Sequence, residues 1–191
     1  MATKPFVREQ PSRGAAKAAS GAGFTPAKRA GGLGGAPLAP PSSMTTFSDV
    51  VELHTEERVQ LVDLTELVAE RVRRSGIGHG LVCVQSRHTT AAVVVNENEP
   101  LLVDDFKRML ERLAPRGARY RHNQLHRRRN LAPDESRNGD AHCRAVLLGA
   151  SETLAVVDGA LHLGRWQRVF LVELDGPRCR TLAVVVMGLP R

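Results

Sequence analysis

Five consecutive apolar residues, Ala91 to Val95, stand between His88-Thr89-Thr90 on one side and Asn96-Glu97-Asn98-Glu99 on the other. The run is too short for a core helix, and its three valines favour a buried strand. A fold that houses it must cover it, while its polar ends come to the rim of a core. Rims of this kind are where rigid elements present ligand-binding groups. An ordinary polar turn at each end would leave the same pattern.

Most other apolar runs are equally short. Phe47–Leu53, Arg58–Val62, Leu81–Gln85, Val146–Leu148, Leu154–Val157, Arg168–Leu174 and Thr181–Met187 all read as strands. Asp158-Gly159 supplies a turn after the fifth of these. Two stretches have helical spacing. The first opens on Asp63-Leu64-Thr65-Glu66, which resembles a capping box with Asp63 as N-cap, and it stops near Ser75 before Gly76. The second starts at Pro100, carries Leu102, Phe106, Met109, Leu110 and Leu113, and breaks at Pro115-Arg116-Gly117. Two helices among many short strands, without strand–helix alternation, predict an α+β fold with a largely antiparallel sheet.

The chain of 191 residues suits one domain with an extension. Residues 1–43, rich in Ala, Gly, Pro and Ser, bury too little apolar surface to order and read as a disordered basic tail. Residues 44–191 read as a single domain. The tail superficially resembles a transit peptide but lacks an Arg-rich amphipathic helix, and Met44 is an alternative start. Six basic residues against one acid give the tail +5 of the net +7, so the domain is nearly neutral and no nucleic-acid face is implied. No run approaches the roughly 18 apolar residues of a membrane helix. Three scattered cysteines and no secretory segment suggest a cytoplasmic protein without a disulfide framework.

No phosphate-binding glycine loop, nucleophile elbow or helical zinc motif is present. His88 precedes the apolar run, while His122 and His142 lie in or at the end of the long polar stretch Arg116–Asp140. A loop longer than about 12–15 residues is uncommon and tends to be functional or disordered. If the fold gathers these three imidazoles, they leave an open coordination position of the kind catalytic zinc uses; otherwise each makes its own hydrogen bond. Arg116, Arg119, Arg121, Arg127, Arg128 and Arg129, with no acid among them, either attract a phosphorylated ligand or form a solvated loop. Trp166 is an anchor or core filler, and Gln167 can orient a ligand amide. Glu173 sits in an otherwise apolar strand and needs a partner such as Arg178, a metal or a neighbouring subunit.

His88-Thr89-Thr90-Ala91, Asn96-Glu97-Asn98, Asp105, Tyr120-x-His122, Ala141-His142, Gly149-x-Ser151, Gly159 and Gly164-x-Trp166-Gln167 occur in the order typical of the YjbQ family. The chain resembles that family over roughly residues 45–190, essentially the whole domain. Its members are called secondary thiamine-phosphate synthases, though many are functionally uncharacterised. The resemblance implies a compact α+β fold with antiparallel sheets assembled as a homotrimer. It also favours His88, His122 and His142 as one site, holding a divalent metal for which zinc is a candidate. Arg165 stands where the family usually has Thr.

The implied reaction couples hydroxymethylpyrimidine diphosphate to thiazole phosphate and releases pyrophosphate. Leaving-group charge must then be stabilised by cations. Magnesium prefers oxygen ligands whereas imidazoles suit zinc, so a histidine triad does not itself explain diphosphate departure. On this reading His88, Glu97 and Glu173 carry the catalysis, and Thr89, Asn96, Trp166, Gln167 and Arg178 bind a small phosphorylated metabolite. The rivals are a metal-dependent hydrolase using Glu97 or Glu173 as base, and a non-enzymatic metabolite-binding trimer. Neither a membrane nor specific nucleic acid is expected as a partner.

Overall fold

A computed structural model describes residues 7–9, 43–133 and 135–191. The backbone runs β1 (Val7–Glu9), β2 (Thr45–His54), β3 (Gln60–Asp63), α1 (Thr65–Ser75), β4 (Ile77–Ser86), β5 (Ala91–Glu97), α2 (Pro100–Leu113), two short 3-10 turns (Arg121–Asn123 and Leu125–Arg127), α3 (Gly139–Leu148), β6 (Ser151–Val157), β7 (Ala160–Leu161), β8 (Gln167–Glu173) and β9 (Cys179–Pro190). Six strands form one sheet in the order β1-β2-β9-β4-β6-β7, and three form another in the order β3-β8-β5. Every pairing is antiparallel. The expected disorder of residues 1–43 falls almost wholly outside the described residues. Within them, Val7–Glu9 pairs with β2 at the sheet edge.

The two sheets lie face to face over one core. Val51, Leu53, Val82, Val84, Leu182, Val184 and Val186 of the large sheet meet Ala91, Val93, Val169 and Leu171 of the small one, and Val68 and Val72 of α1 join them. The other face of the small sheet is covered too. Ala92 and Val172 pack with Leu110 of α2 and Ala141 of α3. A sheet covered on both faces has no reason to alternate polar with apolar residues. That is why β5 begins with an unbroken apolar run and why β8 buries five successive residues from Val169 to Glu173. In β9, by contrast, only alternate residues from Arg180 to Gly188 are buried.

Helix α1 begins one residue later than the capping-box reading placed it. Leu64 occupies the N-cap, and Asp63 Oδ1 instead accepts the Thr65 N–H at 2.9 Å from one position further out. Gly76 ends the helix at φ +69°, a left-handed conformation that suits glycine. Helix α2 has Pro100 in its first turn and Glu99 accepting the Leu101 and Leu102 N–H groups. Asp158 and Gly159, both at positive φ, make the turn between β6 and β7.

Val146–Leu148 is not a strand. It is the last turn of α3, so the fold has three main helices rather than two. Three apolar residues in a row cannot distinguish a strand from the end of a helix. The helix starts within the polar stretch, where Asp140 and Arg144 are buried by partners and not by hydrophobicity. The Arg144 guanidinium donates to the Ala114 carbonyl at 3.0 and 2.9 Å and so ties α3 to the C-terminus of α2. No helix among the described residues is long and apolar enough to cross a membrane.

Candidate functional site

The β8–β9 turn is the centre of the polar constellation. Asp175 opens it, buried among donors: Asn138 Nδ2 at 2.8 Å, Arg178 Nη2 at 2.8 Å, Arg58 Nη1 at 3.2 Å and the Ser136 hydroxyl at 3.2 Å. Burial alone would raise its carboxyl pKa. The hydrogen bonds from Asn138 and Arg178 and the charges of Arg178 and Arg58 outweigh that effect and hold it below the usual carboxylate range. Arg58 also bridges to Asp140, and its Nε is buried without a partner among the described residues. Arg178 donates further to Ser136 at 3.2 Å.

His122 and His142 come together beside this cluster, with ring centroids 4.6 Å apart in edge contact. The contact follows from how the chain before α3 folds back. Gly139 packs so closely under Tyr120 that a Cβ there would sit 2.5 Å from the Tyr120 Cβ, and its N–H donates to Asn123 Oδ1 at 2.9 Å. The 3-10 turn carrying His122 is thereby clamped onto the first turn of the helix carrying His142. His122 Nε2 lies 3.2 Å from Asn138 Oδ1 and 3.4 Å from Arg128, which pairs with Glu135 at 2.8 Å. Burial, and then the neighbouring His122, lower the His142 pKa.

His88, half-buried in the β4–β5 turn, is held by β9. Its Nε2 accepts the Thr181 N–H at 2.8 Å and lies 3.2 Å from the Thr181 hydroxyl. Burial lowers its pKa, the Arg180, Arg87 and Arg178 charges add to the effect, and Glu173 opposes it. Beneath it, Glu173 and Arg180 form a fully buried ion pair. Glu173 also accepts the Leu174 and Asp175 N–H groups, both at 2.8 Å, and the Thr55 hydroxyl at 2.9 Å. Arg180 reaches the buried Thr90 hydroxyl at 3.1 Å. With its oxygens so occupied, Glu173 braces the turn and has no lone pair spare for a proton-transfer role.

Glu97 does not share this end of the molecule. Ala91 pairs with Glu173 and Glu97 with Gln167, so the two ends of β5 lie about 20 Å apart at roughly 3.3 Å per residue. Exposed Asn96, Trp166 and Gln167 gather at the far end with Glu97, and Thr89 is exposed next to His88. Trp166 is not core filler; it is 60% exposed under the Arg165 guanidinium, 4.6 Å from its ring. Gln167 Oε1 accepts the Gly164 N–H at 2.8 Å and closes the turn before β8.

His88 is tied to β9 through Thr181, while His122 and His142 meet one another beside Asn138. Among the described residues no group of three or more His, Cys, Asp or Glu side chains is disposed to hold a metal ion. Sequence reasoning missed Arg58, Ser136, Asn138, Asp140, Asp175 and Arg180. Asp175-Gly176-Pro177 has the composition of an ordinary turn, and the others become partners only through contacts distant in sequence. Arg180 carried one signal: its place in register with the apolar inward series of β9 marks it as buried and paired.

The family profile described as "UPF0047 protein YjbQ-like" matches residues 49–189. The chain belongs to this family. A UPF0047 protein of Methanothermobacter thermautotrophicus is 42% identical over 147 residues, 77% of this chain and 96% of that one. Another, from Archaeoglobus fulgidus, is 40% identical over 69% of this chain and 94% of its own length. Among solved structures, a YbjQ-like protein of unknown function from Sulfolobus solfataricus superposes with a TM-score of 0.70 at 34% identity, covering 76% of this chain and 99% of that one. The YjbQ/UPF0047 fold therefore spans the described domain, and these relatives carry no assigned activity in their names.

Proposed function

We propose that this YjbQ-family protein is an enzyme that transfers a group between small phosphorylated metabolites, of the thiamine-phosphate synthase type, and that it works as a homotrimer. One observation carries the reading: guanidinium and imidazole groups converge where the β4–β5 turn, the β8–β9 turn and the start of α3 meet. Arg178 is held there by Asp175 and Ser136, exposed Arg87 adjoins His88, and His122 and His142 face one another beside Arg128. Such groups stabilise a phosphorylated ligand and the charge of a departing diphosphate.

The trimer is supported by the far end of β5. Asn96, Glu97, Trp166 and Gln167 are too distant to join His88 in one chain, so a second copy is what would unite them. Exposed Leu81, Met187 and Leu189 on the large sheet, and Leu101, Leu113, Val146 and Leu147 on the helices, offer apolar surface for such contacts. A second reading, binding without turnover, is favoured by the carboxylates. Near the histidines Glu173, Asp175, Asp140 and Glu135 all have cationic partners.

Incubation of the purified chain with hydroxymethylpyrimidine diphosphate and thiazole phosphate separates the two. Thiamine phosphate that forms with wild type and is lost with Arg178→Ala supports the enzyme. Saturable binding of either precursor with no product supports the binding module.

A further inference from the structure

His88 and His122 use their ring nitrogens in opposite ways. The group facing His88 Nε2 at 2.8 Å is the Thr181 backbone N–H, which can only donate. The lone pair therefore lies on Nε2 and the ring proton on Nδ1. A metal binds a lone pair, and the only one on this neutral ring is already spent on β9. His122 is the reverse. Asn138 Nδ2 donates to Asp175 at 2.8 Å, which fixes the amide so that Oδ1 faces His122 Nε2 at 3.2 Å. Arg128 Nη1 also approaches this nitrogen, at 3.4 Å, and would need its lone pair. Asn138 Oδ1 is the nearer neighbour and can only accept, and Arg128 makes its shorter bond, 2.8 Å, to Glu135. The nitrogen is therefore assigned the proton and donates. Among the described residues nothing hydrogen-bonds His122 Nδ1, whose lone pair is then available, as in imidazoles that bind metal through one nitrogen and anchor the other.

We propose that His88 is not a metal ligand but a fixed N–H donor that binds an anionic oxygen of the ligand through Nδ1, leaving His122 and His142 as the imidazoles able to take a metal. The ligand class is phosphoryl, and to that extent the inference rests on the phosphorylated-metabolite reading above. Exposed Arg87 and Thr89 flank His88 in the chain, and the Arg87 and Arg178 charges act on its ring. The backbone N–H of Thr181 is the nearer partner and can only donate, so it sets the tautomer, and the Thr181 hydroxyl at 3.2 Å is left to donate as well. Thr90 and the Glu173–Arg180 pair fix both strands that carry the two partners.

The test is long-range proton–nitrogen NMR of the histidine rings in the full-length, nitrogen-labelled protein at mildly alkaline pH. The expected spectrum shows His88 protonated on Nδ1 and His122 on Nε2. Zinc added alone shifts or broadens His122 and His142 and leaves His88 in place, whereas inorganic phosphate shifts the His88 Nδ1 resonance. His88→Ala weakens phosphate binding about tenfold or more and changes zinc affinity less than about twofold. An Nε2-protonated His88, or zinc perturbing His88 with the other two, overturns the proposal. Phosphate that binds without touching His88 overturns its anion half. None of these readouts needs turnover, so failure of the proposed activity and failure of the proposed tautomer are separate results.

Discussion

Replacing Glu173 with alanine tests whether this carboxylate is a brace or a catalytic base. Glu173 is fully buried, and Arg180, its partner, has a side chain only 3% exposed. The carboxylate also accepts two backbone N–H groups and the Thr55 hydroxyl. Alanine leaves a buried guanidinium with only Thr90 to satisfy it, and orphans the Leu174 and Asp175 N–H groups. Breaking a buried pair from one side destabilises by about 3–5 kcal/mol. An orphaned buried donor adds about 1–3 kcal/mol, part of which entering water recovers. A loss of about 4 kcal/mol is expected, which lowers Tm by about 8–16 °C for a domain of this size. Urea unfolding followed by far-UV circular dichroism reads it directly. Removing both charges in Glu173→Leu/Arg180→Met should restore part of the loss, because no uncompensated charge remains. A Glu173→Ala protein within about 1 kcal/mol of wild type would refute the argument and return Glu173 to the list of free bases.

Burial holds both His88 and His142 below the ordinary histidine pKa, so the unfolded chain binds the extra protons. Their contribution to stability is complete above about pH 6.5 and is lost as pH falls through the folded values; urea midpoints should hold steady above about pH 6.5 and drop as pH falls below it, and less so in His142→Gln. A midpoint that is flat or rises on acidification contradicts this. Arg144→Leu strips the buried Ala114 carbonyl of both its guanidinium donors and should destabilise by about 2–3 kcal/mol in the same assay; a change under about 0.5 kcal/mol would separate α3 from α2 energetically. Gly139→Ala forces a Cβ against Tyr120 and should cost about 1–3 kcal/mol while enlarging the His122–His142 separation, visible as loss of ring-current shifts between the two imidazoles. An unchanged ring contact would show that the clamp is not Gly139.

The sheet framework was legible because strand-length apolar runs report burial directly. The run Ala91–Val95 announced a covered strand, and the structure supplies the reason in α2 and α3 on one side and the large sheet on the other. α3 was not legible. Its first half is a polar segment whose burial depends on Arg58, Ala114 and Tyr120, none of them near in sequence. The site was legible in parts. Tyr120-x-His122 and Ala141-His142 pointed to two imidazoles that do meet. His88 and Glu97 flank one strand, and it was tempting to place them in one cavity. Strand geometry sends them to opposite ends of the chain's own fold, a consequence that register alone reveals. Glu173 signalled that it needed a partner, but Arg178, the candidate the sequence suggested, turns to Asp175, and it is Arg180, inward-facing in the alternation of β9, that pairs with it.

Calorimetric titration of the full chain with inorganic pyrophosphate tests the central claim, a phosphorylated ligand held at the histidine–arginine face. Saturable binding is predicted, weakened at least about tenfold by Arg178→Ala, the loss expected when a charge-assisted contact to phosphate is removed. Absence of binding by the wild-type protein, or binding that Arg178→Ala leaves unchanged, would contradict it.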